Sequence, residues 1–223
     1  MISHLAMIMD GNRRWAQNHG MFAWLGHRQG AKNVEMVIQY CIENKISYLS
    51  LYTFSLENLH NRPEQERSYI FLLIKEAQSR IDEFINNGVQ IKFVGDLSNI
   101  PADVYDLCMS MQQATKHCSK LVCNFLFCYG SQQEILASVQ KMIDAGEKFA
   151  TKELLKQNFW IGNILDPEII IRTSGVKRLS NFLLFQAAYS EIRFLSCLWP
   201  DLNREILDQT VQDCLQSQKN FGK

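Results

Sequence analysis

Asp10, Gly11, Asn12, Arg13 and Arg14 place one carboxylate, one glycine and two guanidiniums in a single short run. The apolar stretch His4–Met9 before them reads as a strand, and a helix begins within the run Asp10–Ala16. A strand that ends in a tight turn and feeds a helix leaves backbone N–H groups free at the helix start. With two arginines beside them, these make an anion site. Gly11 lets the backbone come close to a ligand. A carboxylate beside a bound phosphate makes chemical sense when a hard cation such as Mg²⁺ lies between them. The same residues also read as an Asp-Gly turn with two solvated arginines, and their spacing alone does not choose.

Two further clusters follow apolar runs in the same way. Arg172, Arg178 and Ser180 come after Glu168–Ile171 and offer two planar forks and a hydroxyl, a good match to phosphate oxygens. Ser55, Glu57 and Asn58 come after Tyr48–Phe54. Ser-x-Glu-Asn is also a helix-capping pattern, and both roles are compatible. Gly26-x-x-x-Gly30-x-Lys32 is one residue short of a P-loop and its lysine does not directly follow the second glycine, so nucleotide hydrolysis is rejected. No Gly-x-Ser-x-Gly elbow and no His-Glu-x-x-His is present.

The elements that must carry these residues are legible. Six short apolar runs read as strands: His4–Met9, Tyr48–Phe54, Val89–Val94, Leu121–Cys128, Glu168–Arg172 and Ile192–Leu195. Several are apolar on both faces, as parallel strands covered on both sides are. Between them, Val34, Val37, Ile38 and Cys41 form one helical stripe. Ile70, Leu73, Ile74, Ala77, Ile81, Phe84 and Ile85 form another. Alternating strand and helix implies an α/β fold: one domain over residues 1–223, with a mostly parallel six-stranded sheet flanked by helices. Ligands of such sheets bind outside the carboxyl ends of the strands, where all three clusters fall.

The chain has 223 residues, 47% apolar and 21% charged, which excludes a disordered, collagen-like or coiled-coil protein. Lys+Arg and Asp+Glu both number 23, so no basic sheath for nucleic acid is expected. The neutral total hides two cationic windows. Residues 10–32 hold Arg13, Arg14, Arg28 and Lys32 against Asp10, and residues 172–190 hold Arg172, Lys177 and Arg178 with no acid. Seven cysteines without a Cys-x-x-Cys pair suggest reduced, mostly buried thiols in a cytoplasmic protein. No signal peptide or membrane-spanning run is evident, while peripheral contact at the inner face of the cell membrane stays open.

Beyond spacing, the sequence resembles the cis-prenyltransferases, the undecaprenyl diphosphate synthase family. Asp10-Gly11-Asn12-x-Arg14-Trp15-Ala16 is followed by Gly26-His27 and Gly30-Ala31, and then by Tyr52-Thr-Phe54-Ser55-x-Glu57-Asn58 with Arg62-Pro63. Gly95-Asp96, Ile171-Arg172-Thr173-x-Gly175 and Arg178-Leu-Ser180-Asn181-Phe182-Leu183-Leu184-x-Gln186 come next, before Tyr189-x-Glu191 and Leu198-Trp199-Pro200-Asp201. The blocks keep the family order along almost the whole chain. The trans-prenyltransferases' doubled aspartate is absent.

The resemblance implies a Mg²⁺-dependent, homodimeric transferase. It would condense farnesyl diphosphate with successive isopentenyl diphosphates to undecaprenyl diphosphate, the carrier lipid for cell-wall synthesis. It assigns catalysis to Asp10 and Asn58, and metal binding to Asp10 and Glu191, the latter near the dimer interface. The allylic diphosphate is expected at Gly11, Asn12, Arg13, Arg14 and His27. Isopentenyl diphosphate is expected at Arg172, Arg178 and Ser180. Trp15, Ser55, Leu56, Glu57, Leu59, Arg62 and Leu179 complete the expected substrate site. Asn58 takes the family's place of proton acceptor; an amide is a very weak base, so positioning is the better role and a diphosphate oxygen is an equal candidate acceptor.

The chain departs from the family at several points. Ala23 replaces a phosphate-binding arginine, for which Arg13, Arg28 and Lys32 are candidate substitutes. Leu59 replaces an aromatic residue, and one extra residue precedes Arg62-Pro63. Lys177 replaces a histidine that can assist near the metal, Gly130-Ser131 replaces a Gly-Arg pair, and Lys219 stands in an otherwise arginine-poor C-terminus. An apolar tunnel for the growing chain is expected from Tyr69–Ile74, with Leu51, Thr53, Leu121 and Cys123 on its wall and Leu121 at its floor. A buried core helix is the plainer reading of Tyr69–Ile74. The alternatives are a non-catalytic partner subunit of the same fold and, more weakly, a Mg²⁺-dependent phosphatase. Retention of Asp10, Arg14, Asn58, Arg172 and Arg178 favours the enzyme.

Overall fold

The structure is a computed structural model that describes residues 2–216; the Lys219 substitution therefore lies outside the described residues. Six strands form one sheet: β1 His4–Ile8, β2 Tyr48–Ser55, β3 Val89–Val94, β4 Leu121–Tyr129, β5 Ile169–Arg172 and β6 Glu191–Phe194. Their order is β3-β4-β2-β1-β5-β6 and every pairing is parallel. The apolar runs thus make a sheet covered on both faces, as continuous hydrophobicity requires. From β1 the chain moves to one side, to β2, and later returns to β5 on the other side. The crevice at this reversal lies at the carboxyl ends of β1 and β5, beside Asp10 and Arg172.

Nine helices connect the strands among the described residues: α1 Asn12–Asn18, α2 Leu25–Glu43, α3 Leu56–Asn61, α4 Glu64–Gln78, α5 Ile81–Asn86, α6 Ala102–Thr115, α7 Ser131–Asp144, α8 Lys152–Asn158 and α9 Arg204–Gln216. The stripe Val37, Ile38 and Cys41 of α2 packs with Leu207, Val211 and Cys214 of α9 over Leu5, Met7, Leu49 and Leu51. On the other face Ala6, Ile8, Leu126 and Ile170 meet Phe159, Ile161 and Phe182. A third cluster joins Phe54 and Phe127 to Ile70, Val104 and Cys108. No helix among the described residues is long and apolar enough to cross a membrane.

The long stripe from Ile70 to Ile85 is divided between α4 and α5, not carried by one helix. At the break the Ser79 hydroxyl donates to the Glu76 carbonyl, and Arg80 turns its fork to Glu35 of α2 and Glu83. Polar partners at Ser79 and Arg80 override the apolar period there. A second irregularity shapes the site. The β2–β4 register slips between Tyr52 and Phe54 and again between Phe54 and Ser55. The two slips bring Phe54 level with Phe127 and then Ser55 level with Tyr129.

His4 is buried at the start of β1, 1% exposed. Its Nδ1–H donates to the Leu165 carbonyl at 2.7 Å, so Nε2 accepts from the Ser50 hydroxyl at 2.8 Å. Burial lowers it from 6.5 to about 4, although Leu165, Glu168 and Asp166 pull the other way. The unfolded chain therefore takes up a proton near 6.5 that the folded chain refuses until about 4. Stability is full above that window and falls as pH drops through it. Urea unfolding is expected to lose about 2 kcal/mol between about pH 8 and pH 5, and His4→Gln to remove most of that slope. An unchanged slope in the variant would assign the acid loss to other groups.

Candidate active site

β1 ends at Ile8, and the chain turns through Asp10 and Gly11 into α1. Gly11 sits at φ 112°, a conformation that glycine adopts without steric cost. Thr173, just past β5, joins this turn to the next strand. Its hydroxyl donates to the Asp10 carbonyl at 2.6 Å and lies 3.1 Å from the Asp10 N–H. α2 approaches the same turn closely: a Cβ at Gly26 would stand 1.9 Å from the Asn12 carbonyl oxygen. The Gly26-His27 pair therefore serves close packing at the first residue and lines the polar cleft at the second.

The Asp10 carboxylate bridges the loops after β1 and β5. Oδ2 accepts from Arg172 Nη2 at 2.8 Å, and Oδ1 lies 3.4 Å from Arg14 Nη2. Burial would raise the Asp10 carboxyl, but the hydrogen bond and charge of Arg172, with Arg14 beside it, hold it below its ordinary range. Arg172 is buried, and its Nη1 donates to the Arg178 carbonyl and to Ser180 Oγ at 2.8 Å. Its Nε is buried without a hydrogen-bond partner. The loop it holds contains Ser174, Ser180, Asn181 and Leu183, all at positive φ, the kind of strain that accumulates at functional sites.

A polar cleft of about 300 Å³ opens between α1 and α2 and is lined by Asp10, Gly11, Asn12, Arg13, Arg14, His27 and Arg62. Arg13 is thus the candidate substitute for the missing arginine at Ala23 that stands in the cleft; Arg28 and Lys32 line the larger cavity described below. Behind the cleft lies Glu66 of α4, a residue that sequence reasoning missed. It is 3% exposed. Oε1 is 3.0 Å from both His27 Nε2 and Arg62 Nη1, and Oε2 is 3.7 Å from Arg13 Nε. In the sequence it is one more acid in the first turn of a helix, a place acids occupy for the dipole alone.

Ser55 caps α3 by accepting from the Asn58 N–H at 3.1 Å, so the capping role of Ser-x-Glu-Asn is real. Asn58, Glu57 and Ser55 also line the larger cavity together with Arg172, Arg178 and Ser180. Asn181, quoted in a motif but given no role, links these groups. Its amide donates to Glu57 Oε1 at 3.1 Å, and its Oδ1 accepts from the Gln132 N–H of α7 at 2.9 Å.

The larger cavity has a volume of about 910 Å³. From its polar mouth it runs along the sheet beneath Ile70, Leu73, Ile74 and Ala77 of α4. Phe93, Phe125 and Phe127 wall it, with Phe93 stacked on Phe125 at 5.6 Å and edge-on to Phe127 at 6.4 Å. Phe84, Ile91 and Met111 line it toward the amino ends of the strands. Thr53 lines it as expected, but Leu51, Leu121 and Cys123 do not; all three are fully buried in the α2–α9 core. Leu121, the first residue of β4, lies below Phe125 and outside the cavity lining.

Other expected site residues also lie elsewhere. Trp15 stacks on His19 at 4.1 Å and donates to Asp201 Oδ1. Leu56 and Leu59 are buried in the Phe54–Phe127 cluster, the apolar underside of α3. Leu179 packs against the cluster that contains Phe182. Glu191 begins β6 level with Ile169, at the amino end of the sheet, and pairs with Arg193 at 2.8 Å. Asp10 follows the carboxyl end of β1, so the two carboxylates of one chain do not share a site.

Among the described residues no three His, Cys, Asp or Glu side chains cluster as a metal site. Asp10 lines both the cleft and the larger cavity, which Glu57 also lines, and guanidiniums surround their shared mouth. This donor set fits a cation that takes its other ligands from bound phosphates, which is how Mg²⁺ is commonly held.

A protein-family model described as putative undecaprenyl diphosphate synthase matches residues 8–222. The chain is similar to an isoprenyl transferase of Campylobacter jejuni (strain RM1221), 36% identical over 100% of this chain and 99% of the relative. It is also similar to one of Fusobacterium nucleatum, 35% identical over 98% and 95%. Its structure resembles the crystal structure of a probable undecaprenyl diphosphate synthase from Campylobacter jejuni, with TM-score 0.85, 32% identity and coverage of 100% and 99%. It also shares the fold of lavandulyl diphosphate synthase from Lavandula x intermedia, with TM-score 0.93, 24% identity and coverage of 100% and 98%.

Proposed function

Since the chain belongs to the undecaprenyl diphosphate synthase family of prenyltransferases, we propose that it condenses farnesyl diphosphate with successive isopentenyl diphosphates, in cis, to undecaprenyl diphosphate for cell-wall synthesis. The observation that carries this is the Asp10–Arg172 bridge, which joins a polar cleft to a second cationic loop at the mouth of a long aromatic-walled cavity. Two diphosphates and a growing hydrocarbon need that juxtaposition of charge and apolar space.

Arg13, Arg14, Asn12 and His27 would bind the allylic diphosphate in the cleft. Arg172, Arg178 and Ser180 would bind that of isopentenyl diphosphate, with Asn58 orienting its reacting end. The donors around the cleft stabilise charge that grows on the departing pyrophosphate. Mg²⁺ held by Asp10 and the substrate phosphates would add Lewis-acid stabilisation of the same charge. The product would extend along α4, away from water. A homodimer belongs to this proposal: Glu191 would meet the site of a second copy, not its own. Cytoplasmic residence with peripheral membrane contact during product release fits the same role.

Incubation with farnesyl diphosphate, labelled isopentenyl diphosphate and Mg²⁺, followed by chromatography, tests the proposal. A long polyprenyl product is expected. Product only on addition of a second protein would indicate a partner subunit, and free phosphate alone a phosphatase. Phe125→Ala is expected to lengthen the chain by at least one isoprene unit. Leu121→Ala should leave length unchanged and lower stability by about 2–5 kcal/mol, as deletion of a packed core side chain does. Unchanged length in a folded Phe125→Ala would remove the cavity as the chain channel.

A further inference from the structure

Glu66 is a buried carboxylate on the helix that roofs the apolar cavity, yet its partners all belong to the polar cleft. Oε1 takes His27 and Arg62 at 3.0 Å each, and Oε2 faces Arg13 at 3.7 Å. Arg62 in turn lies over the Phe54 ring at 5.5 Å, at the join between cleft and cavity. No other carboxylate lies within ion-pair distance of these two guanidiniums and the His27 imidazole, whose burial lowers it below its ordinary range, in the described residues. Around the cleft, the guanidiniums of Arg13, Arg14, Arg62 and Arg172 therefore face two carboxylates, Asp10 and Glu66.

A carboxylate in this place has two opposing effects on an arriving anion. It aims these N–H groups, which favours binding. It also takes N–H groups that a phosphate oxygen would use and cancels part of the positive field. Two of these groups are already placed in other ways: Arg62 by Phe54, and His27 by its seat on α2 beside the close-packed Gly26. The electrostatic effect should therefore outweigh the aiming effect, because a unit charge a few ångströms from a ligand in a partly dry site acts strongly.

We infer that Glu66 is an internal competitor for the diphosphate in the polar cleft, a positioning residue that weakens the grip of Arg13, His27 and Arg62 so that pyrophosphate can leave after each condensation. This rests on the proposed diphosphate site and adds the control of release. No covalent step is involved.

The test uses inorganic pyrophosphate as probe, with calorimetric binding to the full chain and thermal melting as a check of folding. Wild-type protein is expected to bind it, and Glu66→Gln to bind it about tenfold or more tightly, since the shape is kept and one negative charge is removed. In turnover, Glu66→Gln should lower both kcat and KM for the allylic diphosphate and leave KM for isopentenyl diphosphate unchanged. A merely structural role would lower melting temperature and weaken binding. Glu66→Asp, which withdraws the carboxylate from the cations by one methylene, should tighten binding in the same direction by a smaller factor. Equal or weaker pyrophosphate binding by either folded variant overturns the competitor role while leaving the diphosphate site standing. Failure of wild-type protein to bind pyrophosphate overturns the site and the role together.

Discussion

Asp10→Ala is expected to cut prenyl transfer by at least ~10²-fold, the scale of losing a principal electrostatic group at a reacting centre. The residue stands where three demands meet. Its carboxylate bridges Arg172 at 2.8 Å and Arg14 at 3.4 Å, and it lines the shared mouth of cleft and cavity, where the proposed phosphates would sit. The charges of Arg172 and Arg14 keep it ionised, as a ligand for a hard cation must be. Asp10→Asn keeps the shape and removes the charge, and should lose nearly as much. Added Mg²⁺ should restore little of the rate in either variant. Near-full activity in Asp10→Asn would remove the metal-binding role.

Arg172→Ala should be of similar size for a different reason. The buried guanidinium gives one nitrogen to Asp10 and the other to the Arg178 carbonyl and Ser180 Oγ, so one fork holds both anion loops in register. Its loss should raise KM for isopentenyl diphosphate at least tenfold, lower kcat, and reduce stability by about 1–3 kcal/mol through the partners left unsatisfied. Arg172→Lys retains charge but cannot span both loops, and should recover stability better than turnover. Rates that fall only in proportion to the folded fraction would make Arg172 structural alone.

Much of this was legible because it depends on local chemistry. Continuous apolar runs such as Leu121–Cys128 cannot face water on either side, so a covered parallel sheet followed from them. The clusters at Asp10, Asn58 and Arg172 each follow such a run, and parallel strands bring their carboxyl ends to one edge. What failed involved depth, direction or a distant partner. Leu121 and Cys123 are expected on the tunnel wall, but how far the cavity descends along the sheet depends on where Phe84 of α5 and Met111 of α6 line it. Leu56, Leu59 and Trp15 sit within motifs, and a motif does not say which side of a short helix faces the ligand. Glu191 is expected to share the metal with Asp10, yet in the register it stands level with Ile169, at the amino end of the sheet.

The sequence alone determined the fold class and the edge of the sheet at which the candidate clusters gather, because strand periodicity and side-chain chemistry are properties of short segments. Only the tertiary structure decided which groups pair. The 162-residue separation of Arg172 from Asp10, the convergence of α1, α2 and α4 on Glu66, and the aromatic wall of the cavity all depend on contacts between segments remote in the chain. Such contacts are set by how helices cross the sheet, and no local pattern of residues encodes that crossing.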